Sequence, residues 1–267
     1  MERFISGLIG IPIVLGVILY GHSLLFFALI ASFILLATHE YFTMISNAGK
    51  IGLPGEGLVL SFFLLVFYYF VPEYLSLIGV LIPIILFMTW FYKQNNVNAA
   101  IDSFAYTILG IFYTAGLGGY FLLIGRIEGG REMLVFLLLF IWAGDSMAYY
   151  VGRKFGESKP FKMISPNKTT VGVIANIFGT LIAAVLASTL FFDKIPLIHC
   201  LIVSFICGII GQFGDLAESL IKRNCKIKDS GSLIPGHGGV LDRIDSLLFA
   251  GPVFYSYYQF VLAIERL

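Results

Sequence analysis

The sequence predicts an all-α, polytopic integral membrane protein, and three observations carry that expectation. Of its 267 residues, 58% are hydrophobic and only 12% are charged, with a mean hydropathy of +0.92. A soluble domain carries about 25% charged residues. The apolar residues gather into stretches near the ~20 residues that cross a bilayer as a helix. More than half of the basic residues fall in two polar loops, 151–169 and 223–243. The net charge of +1 gives no reason to expect nucleic acid as a partner. Cys200, Cys207 and Cys225 show neither metal-ligand spacing nor a disulfide framework.

Taken in order, the apolar stretches suggest about nine spans: 4–20, 23–45, 57–72, 74–92, 103–124, 132–150, 170–191, 196–222 and 244–263. The first follows Met-Glu-Arg without a small-residue cleavage site and reads as a retained helix. Gly21-His22 is a tight turn, 49–57 is a Gly/Pro loop and 93–102 is polar and Asn-rich. With neither repeat nor soluble domain, 1–267 reads as one membrane domain. Its first hundred residues serve mainly as scaffold and lipid-facing surface, and about 103–267 as the catalytic part.

The positive-inside rule orients the set. With the N-terminus in the cytoplasm, thirteen of the seventeen Lys and Arg lie inside, and only Arg126, Arg131, Lys194 and Arg266 lie outside. Both basic loops then face the cytoplasm, as does a polar cavity within the helix bundle. This is the topology of a cytoplasmic-membrane protein.

The N-terminal half carries little readable chemistry. His39-Glu40 falls within the second span, where an ionisable pair is costly; it reads equally as a functional pair or a helix–helix hydrogen bond. The aromatic run 62–70 reads as lipid-facing, and Gly116, Gly118 and Gly119 as close-packing positions. Chemistry thickens at Asp145, about 7 Å below the cytoplasmic interface at 1.5 Å per residue. Next comes Ile-Ser-Pro-Asn-Lys-Thr-Thr, where Ser165 and Thr169 read as helix-start residues. Lys168 would stand by a helix N-terminus suited to phosphate.

In the eighth span, Asp215, Ser219 and Lys222 share a helix face, and Glu218 stands four residues before Lys222. Arg223, Lys226, Lys228, Asp229, Asp242, Arg243 and Asp245 surround Pro235-Gly236-His237-Gly238-Gly239. That run cannot form a stable helix. Its exposed N–H groups suit an oxyanion, and the aspartates beside it suit a divalent cation. Asp145, Asp215, Asp242 and Asp245 would converge from three helices; ion pairs could account for one or two of them.

The stretch Ser219, Lys222-Arg223, Lys228-Asp229, His237-Gly238-Gly239 and Asp242-Arg243-Ile244-Asp245 resembles the signature of the phosphatidate cytidylyltransferases, or CDP-diacylglycerol synthases. The resemblance is close over the C-terminal half and limited to hydropathy before it. Three positions depart from the family pattern: Ser146 for Thr, Asn167 for Lys and Val171 for Glu. The last leaves Val171 outside the site.

The resemblance implies CTP and phosphatidate as substrates, CDP-diacylglycerol and pyrophosphate as products, and a role in phospholipid biosynthesis. It implies Mg²⁺, with a second cation open, held by a pool drawn from Asp145, Asp215, Asp242 and Asp245. Asp215, Asp242, Asp245, Lys222, Arg223 and Arg243 would be catalytic. Ser165, Lys168, Thr169, Ser219, Lys226, Lys228, Asp229, His237, Gly238 and Gly239 would bind substrate. The rival readings are a CTP-dependent lipid-alcohol kinase and a transporter or channel. A homodimer and a monomer are both compatible with the sequence.

The topology has a direct test. Cysteines substituted at Lys159 and Ser232 should label from one face of sealed vesicles, and one at Glu128 from the other. Labelling of 159 and 232 from opposite faces would end the assignment.

Overall fold

The computed structural model describes residues 2–93, 97–192, 195–231 and 238–265, with side chains from Gly10 to Val261 within those ranges. Among them there is no β-strand, and ten α-helices follow in order. They are α1 (Glu2–Tyr20), α2 (Ser23–Asn47), α3 (Pro54–Phe70), α4 (Leu75–Lys93), α5 (Ala100–Ile111), α6 (Leu117–Arg126), α7 (Gly130–Phe155), α8 (Thr170–Leu190), α9 (Leu197–Asn224) and α10 (Leu241–Glu265). All nine apolar stretches are helical. Among the described residues, six helical segments are long and apolar enough to cross a membrane: α2, α4, α5 with α6, α7, α8 and α9. The protein is therefore a multi-pass membrane protein.

The stretch expected as one helix over 103–124 is broken by a π-turn, Phe112–Gly116, between α5 and α6. Such widened turns release backbone groups from the regular ladder. The Gly116 carbonyl accepts a 2.7 Å hydrogen bond from Tyr68 Oη of α3. Gly119 takes the packing role expected of this glycine cluster, because a Cβ there would overlap the Tyr68 ring.

The chain forms two compact units. One is Met1–Leu123 with Asn224–Arg243; the other is Ile124–Arg223 with Ile244–Leu267. The signature loop belongs with the N-terminal helices, and the boundary falls between Asp242 and Asp245.

In the first unit, the α2 pair Tyr41-Phe42 is buried and fills notches left by glycines. A Cβ at Gly57 of α3 would strike the Phe42 ring, and one at Gly110 of α5 would stand 2.5 Å from the Tyr41 ring. Tyr41 Oη donates to the Tyr106 carbonyl at 3.0 Å. Lys50, just past α2, reaches Tyr106 Oη at 3.1 Å and the Asn224 side chain. These contacts hold the segment of α2 that carries Glu40.

In the second unit, α7 and α8 form a close pair lined by small residues, the usual way for helices to approach in an apolar medium. A Cβ at Gly144 would stand 2.6 Å from Thr180 Cγ2, and one at Gly179 2.9 Å from Met147 Cβ and 3.0 Å from the Ala143 carbonyl. Helices α9 and α10 meet as closely: a Cβ at Gly214 would lie 2.5 Å from the Asp245 carbonyl.

Gly179→Val should lower the melting temperature in detergent, since overpacking costs about 1–3 kcal/mol. Gly79→Ala, with nothing within 4 Å of the new methyl, should leave it unchanged or raise it. Equal effects at both positions would contradict the packing described.

Candidate active site

The close approach of α7 and α8 sets Asp145 against Asn176, whose Nδ2 donates to Asp145 Oδ1 at 3.1 Å. Asp145 stays exposed. Its carboxylate lies within electrostatic reach of Asp215 and Lys168. Asp215 follows Gly214, the residue pressed against the α10 backbone, so Asp245 of α10 also feels Asp215, Asp145 and Lys222. The second unit thus brings together three of the four expected aspartates, from α7, α9 and α10.

Lys168 is the cation beside Asp145 and Asp215. Its ammonium lies 2.9 Å from Asp215 Oδ2 and donates to the Gln212 carbonyl at 2.9 Å. Only 13% of the Lys168 side chain is exposed. The helix start expected at 165–170 is present: Thr169 is the N-cap of α8, its Oγ1 accepting from Gly172 N at 3.1 Å. The Thr169 hydroxyl therefore serves the helix, while Lys168 turns to α9. Ser165 lies in the preceding turn, its carbonyl accepting from Lys168 N at 3.2 Å. Arg223 Nε donates to the Ile164 carbonyl at 3.2 Å, a second tie between this loop and the C-terminal end of α9. The shared α9 face is real: Ser219 Oγ stands 3.4 Å from Asp215 Oδ1. Lys222 pairs with the buried Glu218, as their spacing suggested.

Two buried amides of this unit escaped the sequence reading, although a polar residue amid an apolar span was a signal. Asn176 Oδ1 and Gln212 Oε1 have no hydrogen-bond donor among the described residues. Carboxylates beside orphaned amide oxygens are hard donors, and they fit a cation such as Mg²⁺ in type. Among the described residues no three His, Cys, Asp or Glu stand close enough to hold an ion unaided. That also suits Mg²⁺, which takes one or two carboxylates and completes its shell with water and phosphate.

The fourth aspartate has a different setting. Asp242 lies in the first unit, and its Oδ2 accepts from Ser230 N at 3.0 Å, Ser230 Oγ at 2.9 Å and Gly239 N at 2.9 Å. The Gly239 N–H was expected to cradle a phosphate; the structure gives it to Asp242 instead. Gly238 takes φ +81°, a left-handed conformation suited to glycine. Lys226, Lys228, Asp229 and Arg243 are exposed along this stretch. His237, with Pro235, Gly236 and Ser232, lies outside the described residues, as do Lys194 and Arg266 of the charge count.

The same loop is held by a residue the sequence singled out only as half of an intramembrane pair. Glu40 Oε1 accepts from Val240 N, and its Oε2 from Leu241 N, both at 2.9 Å; Oε2 also takes Ser230 Oγ at 3.0 Å. Its partners are loop backbone and serine, neither His39 nor another helix's side chain.

Comparison with known proteins sets this arrangement in context. The cytidylyltransferase family model matches residues 1–261. A phosphatidate cytidylyltransferase of Bacillus subtilis is 32% identical over 263 residues, 95% of this chain and 96% of that protein. One from a Synechocystis species is 31% identical over 291 residues, 98% of each. One from Haemophilus influenzae is 43% identical over 138 residues, 50% of this chain and 48% of that protein.

Proposed function

The chain belongs to the cytidylyltransferase family, and from that premise we propose that it transfers the cytidylyl group of CTP to phosphatidate, giving CDP-diacylglycerol and pyrophosphate. The observation that carries the reading is the cluster of Asp145, Asp215 and Asp245, with Lys168 beside the first two and Lys222 near the third. Carboxylates interleaved with lysines suit a reaction whose difficulty is electrostatic. Nine spans, with the N-terminus and both basic loops on the cytoplasmic side, accord with the distribution of Lys and Arg.

The chemistry asks little of a base. The phosphomonoester of phosphatidate has a second pKa near 6 and is already an anion. One of its oxygens attacks the α-phosphorus of CTP. A new P–O bond forms while the bond to the bridging oxygen breaks, and pyrophosphate leaves with the electron pair. Such transfers depend on positioning and charge neutralisation. Lys168, fixed by Asp215 and the Gln212 carbonyl, holds a phosphate oxygen in register. Arg223, Lys226, Lys228 and Arg243, all exposed, offset the charge of the triphosphate and the lipid headgroup. Asp145, Asp215 and Asp245 are the carboxylates that would hold Mg²⁺, which when bound supplies charge neutralisation.

Label position tests the reaction. With reconstituted protein, Mg²⁺ and phosphatidate, α-³²P of CTP should enter lipid and γ-³²P should not. Lipid labelled from the γ position would establish a kinase instead. Asp215→Asn and Asp245→Asn should insert and fold yet lose about 100-fold or more in turnover, with partial recovery at raised Mg²⁺. An earlier melt with unchanged activity per folded molecule would make these aspartates scaffold.

A further inference from the structure

A carboxylate in an apolar helix is costly unless hydrogen bonds answer it. Glu40 is such a group: it sits on α2 with 7% of its surface exposed. Among the described residues it is answered from positions 190 to 201 later in the chain. Val240 N and Leu241 N are the N–H groups at the start of α10, which no intrahelical carbonyl can satisfy. A helix N-terminus carries partial positive charge, and a carboxylate accepting its N–H groups is a strong, charge-assisted arrangement. Glu40 thus caps α10 from another helix.

The glycines of the loop fit the same account. A Cβ at Gly231 would stand 2.7 Å from Glu40 Oε1, and one at Gly239 would collide with Ser230 Oγ and Glu40 Oε2. Both residues lack a side chain where the Glu40 carboxylate passes. Ser230 joins the two ends, its hydroxyl within hydrogen-bond distance of Glu40 Oε2 and Asp242 Oδ2 alike. One hydroxyl carries one proton, so the two carboxylates share a single donor.

We propose that Glu40 is a positioning residue of the transfer reaction: by holding Ser230 and the first N–H groups of α10, it fixes the turn that carries Asp242 and Arg243. This rests on the proposed cytidylyl transfer. It brings α2, expected to be scaffold, into the catalytic apparatus. Glu40 touches no substrate and acts through the backbone it holds.

Glu40→Gln keeps the size of the side chain but replaces one acceptor oxygen by a donor facing N–H groups. It should lower kcat about 10- to 100-fold, the usual cost of losing an outer-shell partner, while KM for CTP changes little. Glu40→Asp keeps the charge and should recover part of the loss. Thr38→Ala is the structural control: it removes the buried 2.7 Å Thr38–Thr114 hydrogen bond two residues along α2 and should lower melting temperature without lowering kcat per folded molecule. A Glu40→Gln kcat within twofold of wild type, or no lower than that of Thr38→Ala, overturns the proposal. Hydrogen exchange at Val240 and Leu241 reads the anchoring without any assay of function. Faster exchange in Glu40→Gln supports it, and unchanged exchange overturns it. If wild-type protein transfers no α-³²P, the functional reading falls by itself, and the exchange result still decides the anchoring.

Discussion

The structure turns on how buried charge is answered in an apolar setting. Glu40 is the clearest case. Its two oxygens gather Ser230, Val240 and Leu241 and close the loop between α9 and α10. Asp242 closes it from within through Ser230 and Gly239. Each buried acceptor left without a donor would cost about 1–3 kcal/mol. The loop's fold and the state of these two carboxylates are therefore linked, and the turn that opens α10 is set by both.

The second unit meets the same demand differently. Its helices carry glycine where they cross, so their backbones come close and short side chains meet across them. Gly144 and Gly179 let Asn176 reach Asp145, and Gly214 brings Asp215 beside the start of α10. The resulting carboxylates are compensated by Lys168 and by hydrogen bonds, and among the described residues two amide oxygens, of Asn176 and Gln212, have no donor. The proposed transfer would call on such a local imbalance: groups held by the fold and still able to take a cation or exchange a partner.

Much of this was legible in the sequence. Hydropathy located the apolar stretches that are helical, since a span announces itself as ~20 apolar residues, but it merged α5 and α6 into one. Helical periodicity predicted the Asp215–Ser219–Lys222 face and the Glu218–Lys222 pair, because these are local. The N-cap at Thr169 was legible for the same reason. The π-turn at Phe112–Gly116 was not, because it depends on Tyr68 of another helix. Nor was the occupant of the glycine loop. Glycines and free N–H groups pointed to a substrate phosphate, whereas the N–H groups of Gly239, Val240 and Leu241 meet carboxylates of the protein. No spacing rule could reveal that Gly239, Val240 and Leu241 serve the protein's own carboxylates, one of them two hundred residues earlier.

The central claim is that this loop is closed by internal anions before substrate arrives. Hydrogen–deuterium exchange across 238–243, with and without CTP, tests it most directly. The account predicts slow exchange at Gly239, Val240 and Leu241 in nucleotide-free protein, with little change when CTP is added. Rapid exchange without nucleotide, and protection only on its addition, would contradict it.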